Sequence, residues 1–266
     1  MECIGDNLLF TTVRMEESYG EKAGVGTGFF YHHEDKLFLV TNKHVVQGVK
    51  NGSFLMLKSS KDDYWKPILG RGLEISFCDS DFVGHPDPEI DIAVANISPA
   101  INVLKKKGTT PFWMHINREL IPTQEELENF FSPAEEIYFV GYPNGLWDDV
   151  KILPIIRKGI TATPYYVDFK NKKKFLIDAS VFPGSSGSPV FVYYKGSYSD
   201  KFGNNYQGNK LRFLGVISKT YLQYSESINS GNINSQMIDL GEVYKAETVQ
   251  ETIDYFIETN KKFSGR

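Results

Sequence analysis

A serine between glycines is the most specific chemical signal in the sequence. Ser186 lies in the segment 182–191, FPGSSGSPVF, just before an apolar stretch. Because glycine carries no Cβ, the backbone around it can turn tightly and direct several N–H groups at one point. Acyl transfer needs such a point, since its tetrahedral intermediate carries an oxyanion. The segment therefore predicts a nucleophilic Ser186, although taken alone it is also compatible with an ordinary glycine-serine hairpin loop.

A serine hydroxyl is a weak nucleophile and requires a general base, for which histidine is well suited because its pKa is roughly 6.5. His44 directly follows the apolar stretch 37–41, and a strand end is a rigid mount for a base. We therefore predict His44 as the base. The other four histidines fit structural positions: His32 and His33 in a hairpin turn, His85 beside prolines, and His115 in a mixed segment.

A catalytic histidine is usually oriented by a carboxylate, and Asp91 is the best candidate. It interrupts the apolar stretch 90–95, IDIAVA, where an acid is costly to bury without a partner. The nearby acids Asp81, Asp87 and Glu89 lie in a polar, proline-containing loop. Asp91 could instead be a strand-edge acid that faces water, and this segment alone does not decide between the two.

Short strands dominate the predicted elements that must position these residues. Strand-like segments cover residues 7–15, 28–31, 36–41, 53–57, 90–95, 136–140, 174–177, 189–193 and 213–217. Many short strands separated by turn residues favour a β-barrel or β-sandwich. The polar segments 197–210 and 224–234 are predicted to be long loops, and the strand-poor stretch 103–135 marks the junction between two β halves.

Two helices are predicted. Thr123 and Glu126 have the spacing of a capping box, which indicates a short helix over the residues that follow. A longer helix is expected over about residues 243–263, with Val249 and Ile253 on its apolar face. Its polar face mixes both charges, so we interpret it as a packing helix rather than a membrane-surface helix.

Charge and composition exclude several functional classes. The chain has 266 residues and a formal net charge of -4, which is unfavourable for binding nucleic acid through phosphate contacts. The lysine runs at 105–107 and 170–174 are interpreted as solvated loops. No apolar stretch approaches the 18 residues of a membrane span, the start lacks a signal-peptide pattern, and only two cysteines are present. These features predict a cytoplasmic protein with reduced thiols that binds neither membranes nor nucleic acid.

The three segments occur in the order His44, Asp91 and Ser186, and together they resemble the trypsin-like serine peptidases. The segments TNKHVV at 41–46, DIAV at 91–94 and GSSGSP at 184–189 are most similar to the bacterial HtrA-type and V8-type branches. GTGFF at 26–30 resembles the first hairpin of the family. VGYPNGL at 140–146 resembles the turn that opens its second barrel. The resemblance runs from about residue 8 to residue 222.

The resemblance implies an all-β, chymotrypsin-like fold of two antiparallel six-stranded barrels with a C-terminal helix. The implied domains are residues 1–120 with His44 and Asp91, residues 121–240 with Ser186, and residues 241–266 as the helix packed on the barrels. It implies a serine endopeptidase acting on proteins or peptides without metal or cofactor. Its catalytic triad would be His44, Asp91 and Ser186, and the backbone N–H groups of Gly184 and Ser186 would form the oxyanion hole.

Departures from the family concern activation and specificity. Ser185 occupies the position of the acid that pairs with a new N-terminus in animal zymogens. The oxyanion loop is therefore expected either to be formed permanently or to be set by a regulatory partner or ligand. By alignment, Ser180 lies near the base of the primary pocket, and Ser218, Lys219 and Thr220 form the strand that pairs with substrate backbone.

Neither Ser180 nor Thr220 is charged, and residues 215–220 lack the histidine that V8-type enzymes carry there. We therefore expect the substrate to have a small or medium uncharged side chain at the cleaved position. Too little chain follows Ser218 for the PDZ domain that HtrA-type enzymes usually carry. The alternative function is a catalytically silent binding module that keeps the protease fold.

Overall fold

The computed structural model describes residues 4–19, 22–61, 63, 66–226 and 233–264 of the chain. Strands predominate, and five α-helices lie among the described residues. The strands are β1 (Thr12–Tyr19), β2 (Lys22–His33), β3 (Lys36–Thr41), β4 (Asn51–Ser59), β5 (Pro67–Phe77), β6 (Val83–Gly84), β7 (Ala93–Asn96), β8 (Pro111–Phe112), β9 (Glu136–Gly141), β10 (Ile155–Thr161), β11 (Lys174–Asp178), β12 (Pro189–Tyr194), β13 (Ser197–Ser199), β14 (Asn205–Gln207), β15 (Lys210–Glu226) and β16 (Ile233–Lys245). The helices are α1 (Ile4–Leu8), α2 (Lys43–Val46), α3 (Ser98–Lys106), α4 (Gln124–Asn129) and α5 (Ala246–Ser264).

The C-terminal half contains a closed barrel of six antiparallel strands in the order β10-β11-β16-β15-β12-β9. Its interior is filled by large apolar side chains that are almost wholly buried, among them Phe139, Phe175, Val190 and Leu214. Closure pairs the edges that an open sheet would leave exposed, so it provides a rigid frame for the loops between strands.

The N-terminal half contains one sheet of eight strands, and this differs from the six-stranded barrel that the resemblance implies. Its strand order is β5-β4-β1-β2-β3-β7-β6, with β8 paired to β4. Within the described residues the two end strands, β5 and β6, are not paired with each other. The reason is length, because β6 has only two residues and cannot carry a ladder round to the eleven-residue β5.

One apolar core joins the two halves and the C-terminal helix. Phe29 of β2 and Phe213 of β15 have ring centroids 5.5 Å apart. Val249 and Ile253 of α5 belong to the same cluster and are fully buried. The predicted packing role of α5 agrees with this arrangement. Its expected start at about residue 243 is three residues early, because Val243 still pairs with Phe175 in the barrel.

Local differences from the sequence-based prediction have simple causes. Residues 4–8 form α1 instead of beginning a strand, and β1 starts at Thr12. His32 and His33 end β2, and the turn after them contains Glu34, whose φ is 51°.

Two predicted loops also contain regular structure. Lys105 and Lys106 end helix α3, which has Pro99 in its first turn. The segment predicted as a loop over 197–210 contains the hairpin of β13 and β14. Strand structure likewise continues to residue 226 and resumes at 233 in the second predicted loop, of which 227–232 lie outside the described residues, as does Cys3.

Candidate active site

His44 and Asp91 meet where β3 ends beside the start of β7. His44 lies in the four-residue helix α2, which follows β3 after Asn42. Asp91 lies in the loop just before β7, which begins at Ala93, so the prediction that it is inside a strand is wrong by two residues. The side-chain amide of Asn42 donates to the carbonyl of Asp91 at 2.6 Å. This bond fastens the Asp91 loop to the segment that carries His44.

The carboxylate of Asp91 accepts three hydrogen bonds. Its Oδ2 lies 2.6 Å from Nδ1 of His44, and its Oδ1 accepts the backbone N–H of His44 at 3.1 Å. The hydroxyl of Ser218 donates to Oδ2 at 2.7 Å. With Nδ1–H directed at the carboxylate, Nε2 of His44 is left as the acceptor nitrogen.

Burial would by itself raise the pKa of Asp91. The hydrogen bonds and charge of His44, together with the hydroxyl of Ser218, outweigh burial and hold the pKa of this carboxyl below its ordinary value. Asp91 is therefore ionised at neutral pH, as a group that stabilises a charged imidazole must be.

Ser186 lies beside this pair. Its carbonyl accepts the N–H of Thr27 at 2.8 Å, and the next residue, Gly187, donates to Ile217 at 2.8 Å. Its hydroxyl donates to the carbonyl of Ser218 at 2.8 Å. Ser218 thus contacts both Ser186 and Asp91, which places all three predicted triad residues at one location.

The hydroxyl of Ser186 is not directed at His44. No hydrogen bond joins these two residues, both of which belong to the described part of the chain. A rotation about χ1 of Ser186 is the motion that would redirect the hydroxyl, and such rotations are fast and inexpensive.

The loop before Ser186 forms a tight turn. The N–H of Ser185 donates to the carbonyl of Phe182 at 3.0 Å, with Pro183 and Gly184 at the centre of the turn. Gly184 has a φ of 87°, as the third residue of a type II turn requires. A Cβ on Gly184 would lie 2.3 Å from the carbonyl oxygen of Tyr142, so space as well as conformation demands glycine there.

Two neighbours fix the orientation of this turn. The N–H of Asn144 donates to the carbonyl of Pro183 at 2.6 Å, and the hydroxyl of Thr27 donates to the carbonyl of Gly184 at 2.8 Å. Because C=O and N–H point in opposite directions across a trans peptide, the N–H of Gly184 points away from Asn144. In the described part of the chain, the N–H groups of Gly184 and Ser186 have no hydrogen-bond acceptor.

Ser185 is 1% exposed, and its hydroxyl oxygen has no hydrogen-bond partner among the described residues. The turn is instead held through backbone carbonyls by Asn144 and Thr27. Both residues lie in segments that resemble the family, GTGFF and VGYPNGL, but the resemblance alone does not predict this role for them. The glycines that flank Thr27 and follow Asn144 are the sequence feature that could have indicated a close approach of the backbone there.

The residues predicted to bind substrate lie next to the predicted triad, which Ser218 contacts. Ser218 is buried, Lys219 is exposed, and the hydroxyl of Thr220 donates to the carbonyl of Val181 at 2.7 Å. The half-buried Ser180 precedes Val181. We use the name primary pocket for the site that residues 180–182 and 218–220, joined by this bond, are proposed to form.

The alternative histidines and acids lie in other contacts. His85 is bonded to Glu251, the rings of His32 and His115 are 4.9 Å apart, and His33 contacts Gln250. Among the other acids, Asp81 accepts from the N–H of Cys78 at 2.8 Å, the carbonyl of Asp87 accepts from Lys43 at 2.8 Å, and Glu89 pairs with Lys172 at 3.0 Å. Asp91 and His44 are thus the acid and the histidine that meet beside Ser186.

Over the described residues, no group of three or more His, Cys, Asp or Glu side chains is arranged to hold a metal ion. None of the helices in the described ranges is long and apolar enough to cross a bilayer.

Comparison with known families agrees with this geometry. The family described as "Trypsin-like peptidase domain" matches residues 26–197. The chain belongs to this family of trypsin-like peptidases. No match was found among curated proteins.

Solved structures of HtrA-type proteases share the fold. A variant of the HtrA-type protease AlgW with tripeptide has a TM-score of 0.54 and 16% identity, over 95% of this chain and 62% of that chain. AlgW with tripeptide has a TM-score of 0.52 and 15% identity, over 96% and 62%. The serine endoprotease from Yersinia pestis has a TM-score of 0.53 and 14% identity, over 95% and 65%. At these identities the likeness establishes the fold, and the chain spans less than two thirds of each of these proteins.

Proposed function

We propose that this protein is a serine endopeptidase that hydrolyses peptide bonds through an acyl-enzyme on Ser186. The observation that carries the proposal is the hydrogen-bonded set in which Asp91 binds His44 and Ser218, and Ser218 in turn accepts from Ser186. Membership of the trypsin-like peptidase family supports the same conclusion. Once the hydroxyl of Ser186 has rotated toward His44, these residues have the arrangement that nucleophilic catalysis by serine requires.

Each residue has a role in the proposed reaction. Ser186 rotates toward Nε2 of His44, gives up its proton and attacks the scissile carbonyl. His44 then donates that proton to the leaving amine, and Asp91 stabilises the imidazolium in the meantime. Water, deprotonated by His44, hydrolyses the acyl-enzyme and regenerates Ser186. The free N–H groups of Gly184 and Ser186 stabilise the oxyanion in both steps.

The substrate is proposed to be a protein or peptide whose backbone pairs with residues 218–220 as an added β-strand. We further propose that the protein is bacterial and acts in the cytoplasm, in keeping with the free thiol of Cys78. Cell fractionation with detection of the native protein tests the location, and recovery in a secreted or membrane fraction would contradict it.

A fluorophosphonate probe, which labels activated serines, tests the proposed function. Wild type is expected to be labelled and Ser186→Ala is expected to lose labelling. Ser185→Ala is the matched control, because the Ser185 hydroxyl has no partner among the described residues and its removal should cost little. Peptide cleavage is measured in parallel. Wild type that labels no better than Ser186→Ala would instead support the catalytically silent binding module.

A further inference from the structure

Arg157 brings a positive charge to the primary pocket. On β10, residues 155, 157 and 159 are half-buried while 156, 158 and 160 are exposed, so Arg157 lies on the inner face of the strand. Its guanidinium donates from Nη1 to the carbonyl of Ser180. Its Cζ lies 5.0 Å from the ring centroid of Phe182 and 5.5 Å from that of Phe139. Arg157 therefore touches both ends of the wall 180–182.

This guanidinium has no acidic partner. Across the described residues, no carboxylate forms a salt bridge with Arg157, whereas Arg212 is paired with Glu126. Ser180 supplies the acceptor recorded for Arg157, although a guanidinium carries five N–H donors. In the described structure, its other nitrogens are not among the buried atoms that lack a hydrogen-bond partner, so they remain accessible to solvent. A half-buried guanidinium with spare donors is well suited to bind an anion that arrives from solution.

The primary pocket is where a substrate side chain would enter. In the proposed pairing, the substrate backbone lies along residues 218–220 when Ser186 attacks a carbonyl whose oxygen faces the N–H of Gly184. The side chain of the residue that supplies this carbonyl then lies between 218–220 and 180–182. The bond from Thr220 to the carbonyl of Val181 joins these two walls.

The remaining side chains of the pocket carry no negative charge. Ser180, Val181, Phe182, Ser218 and Thr220 are neutral, and Lys219 is exposed beside them. The Nζ of Lys219 is 3.9 Å from Glu242, which is already paired with Lys174 at 2.7 Å. Arg157 and Lys219 thus add positive charge to two walls that carry no negative charge of their own.

We propose that Arg157 is a specificity-determining residue and that the enzyme prefers substrates with an acidic side chain, Asp or Glu, at the cleaved position. The inference rests on the proposed peptidase function. It replaces the expectation of a small or medium uncharged side chain, which considered only the residues aligned with the pocket walls. A carboxylate can accept two parallel N–H groups from Arg157 while Ser180 keeps the third.

Peptides that differ only at the cleaved position test the proposal. Fluorogenic peptides with Glu, Gln, Asp, Val or Arg there are compared by kcat/KM for wild type, Arg157→Gln, Arg157→Lys and Lys158→Gln. Wild type is expected to favour Glu over Gln by about tenfold or more, as a charged hydrogen-bonded pair provides. Arg157→Gln is expected to bring this ratio close to one while cleavage of the Gln peptide changes little. Arg157→Lys should retain part of the preference, and Lys158→Gln, on the exposed face of the same strand, should leave it intact.

Two results would overturn the proposal. One is a wild-type enzyme that cleaves the Gln or Val peptide as well as the Glu peptide. The other is an Arg157→Gln variant that loses all peptides equally, since that would mean that Arg157 only holds the loop 180–182 in place.

Fluorophosphonate labelling separates this inference from the proposed function. Wild type that labels at Ser186 without preferring acidic peptides overturns the role of Arg157 and leaves the peptidase standing. Wild type that does not label overturns both. Thermal melting of Arg157→Gln shows whether the variant is folded. If it is not, the wild-type ratio and the retained preference of Arg157→Lys decide the matter.

Discussion

Asp91 is held through both of its carboxylate oxygens. The backbone and ring of His44 and the hydroxyl of Ser218 all donate to its carboxylate. An asparagine would place an amide where one of these acceptors is needed, and the imidazole would then be held in the wrong tautomer.

Asp91→Asn is accordingly expected to lower kcat by about 10⁴ while leaving the fold intact. Peptide cleavage and thermal melting of the purified variant measure the two effects. Asp87→Asn is the control, because the side chain of Asp87 accepts the N–H of Glu89 at 2.9 Å, which an asparagine oxygen can also do, and its bond to Lys43 is made by the backbone. A loss in Asp91→Asn of less than about tenfold would mean that another acid orients His44.

Gly184 allows a second test, with a matched control elsewhere in the chain. Gly184 and Gly203 have the same φ of 87°, but a Cβ would meet Tyr142 only at Gly184 and open space at Gly203. Gly203→Ala should therefore cost only the roughly 1 kcal/mol of a left-handed residue. Gly184→Ala should also displace the oxyanion loop and lower kcat by about a hundredfold or more. Equal kcat values for the two variants would show that the Gly184 N–H is not used.

Much of the candidate site could be predicted at this scale, because glycine, histidine and an isolated acid leave distinct local signals. His44, Asp91 and Ser186 were found in that way, and the structure places them together. Arg157 was missed, because its meaning depends on a contact with Ser180 across two strands. A lone arginine in an amphipathic strand does not reveal in the sequence which residue it will contact.

Among the elements, α4 is tied to β15 by a cluster of charges. Glu126 accepts the guanidinium of Arg212 at 2.8 Å and 2.9 Å and lies 3.0 Å from the ammonium of Lys210. Burial acts to raise the pKa of Glu126, but these two cations outweigh it and lower the pKa to about 2. The capping box of Thr123 and Glu126, confirmed in the structure, adds to the same corner.

This cluster predicts a pH-dependent contribution to stability. Because the folded pKa of Glu126 lies below its ordinary value of 4.5, its ionised form stabilises the fold above about pH 4.5, and this contribution is lost as the pH falls toward 2. Glu126→Gln is expected to lower the free energy of unfolding by about 2 kcal/mol at pH 7, less than a fully buried pair because solvent screens one edge. The deficit should shrink between pH 4.5 and pH 3.

Urea unfolding across this range measures the effect, with the exposed neighbour Glu125→Gln as the control. A deficit that does not vary with pH would contradict the assigned pairing of Glu126 with Arg212 and Lys210.

Elements were predictable where one local pattern dominated. The capping box identified α4, and apolar runs identified β3, β9 and β12. Helix α3 was missed because its lysines resembled a solvated loop, and the size of the N-terminal sheet was missed because β6 and β8 have two residues each. Strands this short are stabilised by pairing with their neighbours, so no local sequence pattern predicts them.

For the whole molecule, the shared core predicts that the two halves unfold together. Phe29 and Phe38 of the N-terminal sheet pack in one cluster with Phe191 and Phe213 of the barrel. We expect a single thermal transition, with coincident curves for tryptophan fluorescence and far-ultraviolet circular dichroism. Ile253→Ala should lower the midpoint temperature of both curves by the same amount. Two separate transitions would instead support independent domains at 1–120 and 121–240.

The C-terminal helix has a consequence for how the protein comes into being. Tyr31 in β2 donates its hydroxyl to Gln250 in α5, a residue 219 positions later in the chain. During synthesis the N-terminal sheet must wait for nearly the whole chain before its apolar face is covered. A growing chain therefore leaves part of this apolar face uncovered until α5 has been synthesised and has packed against it.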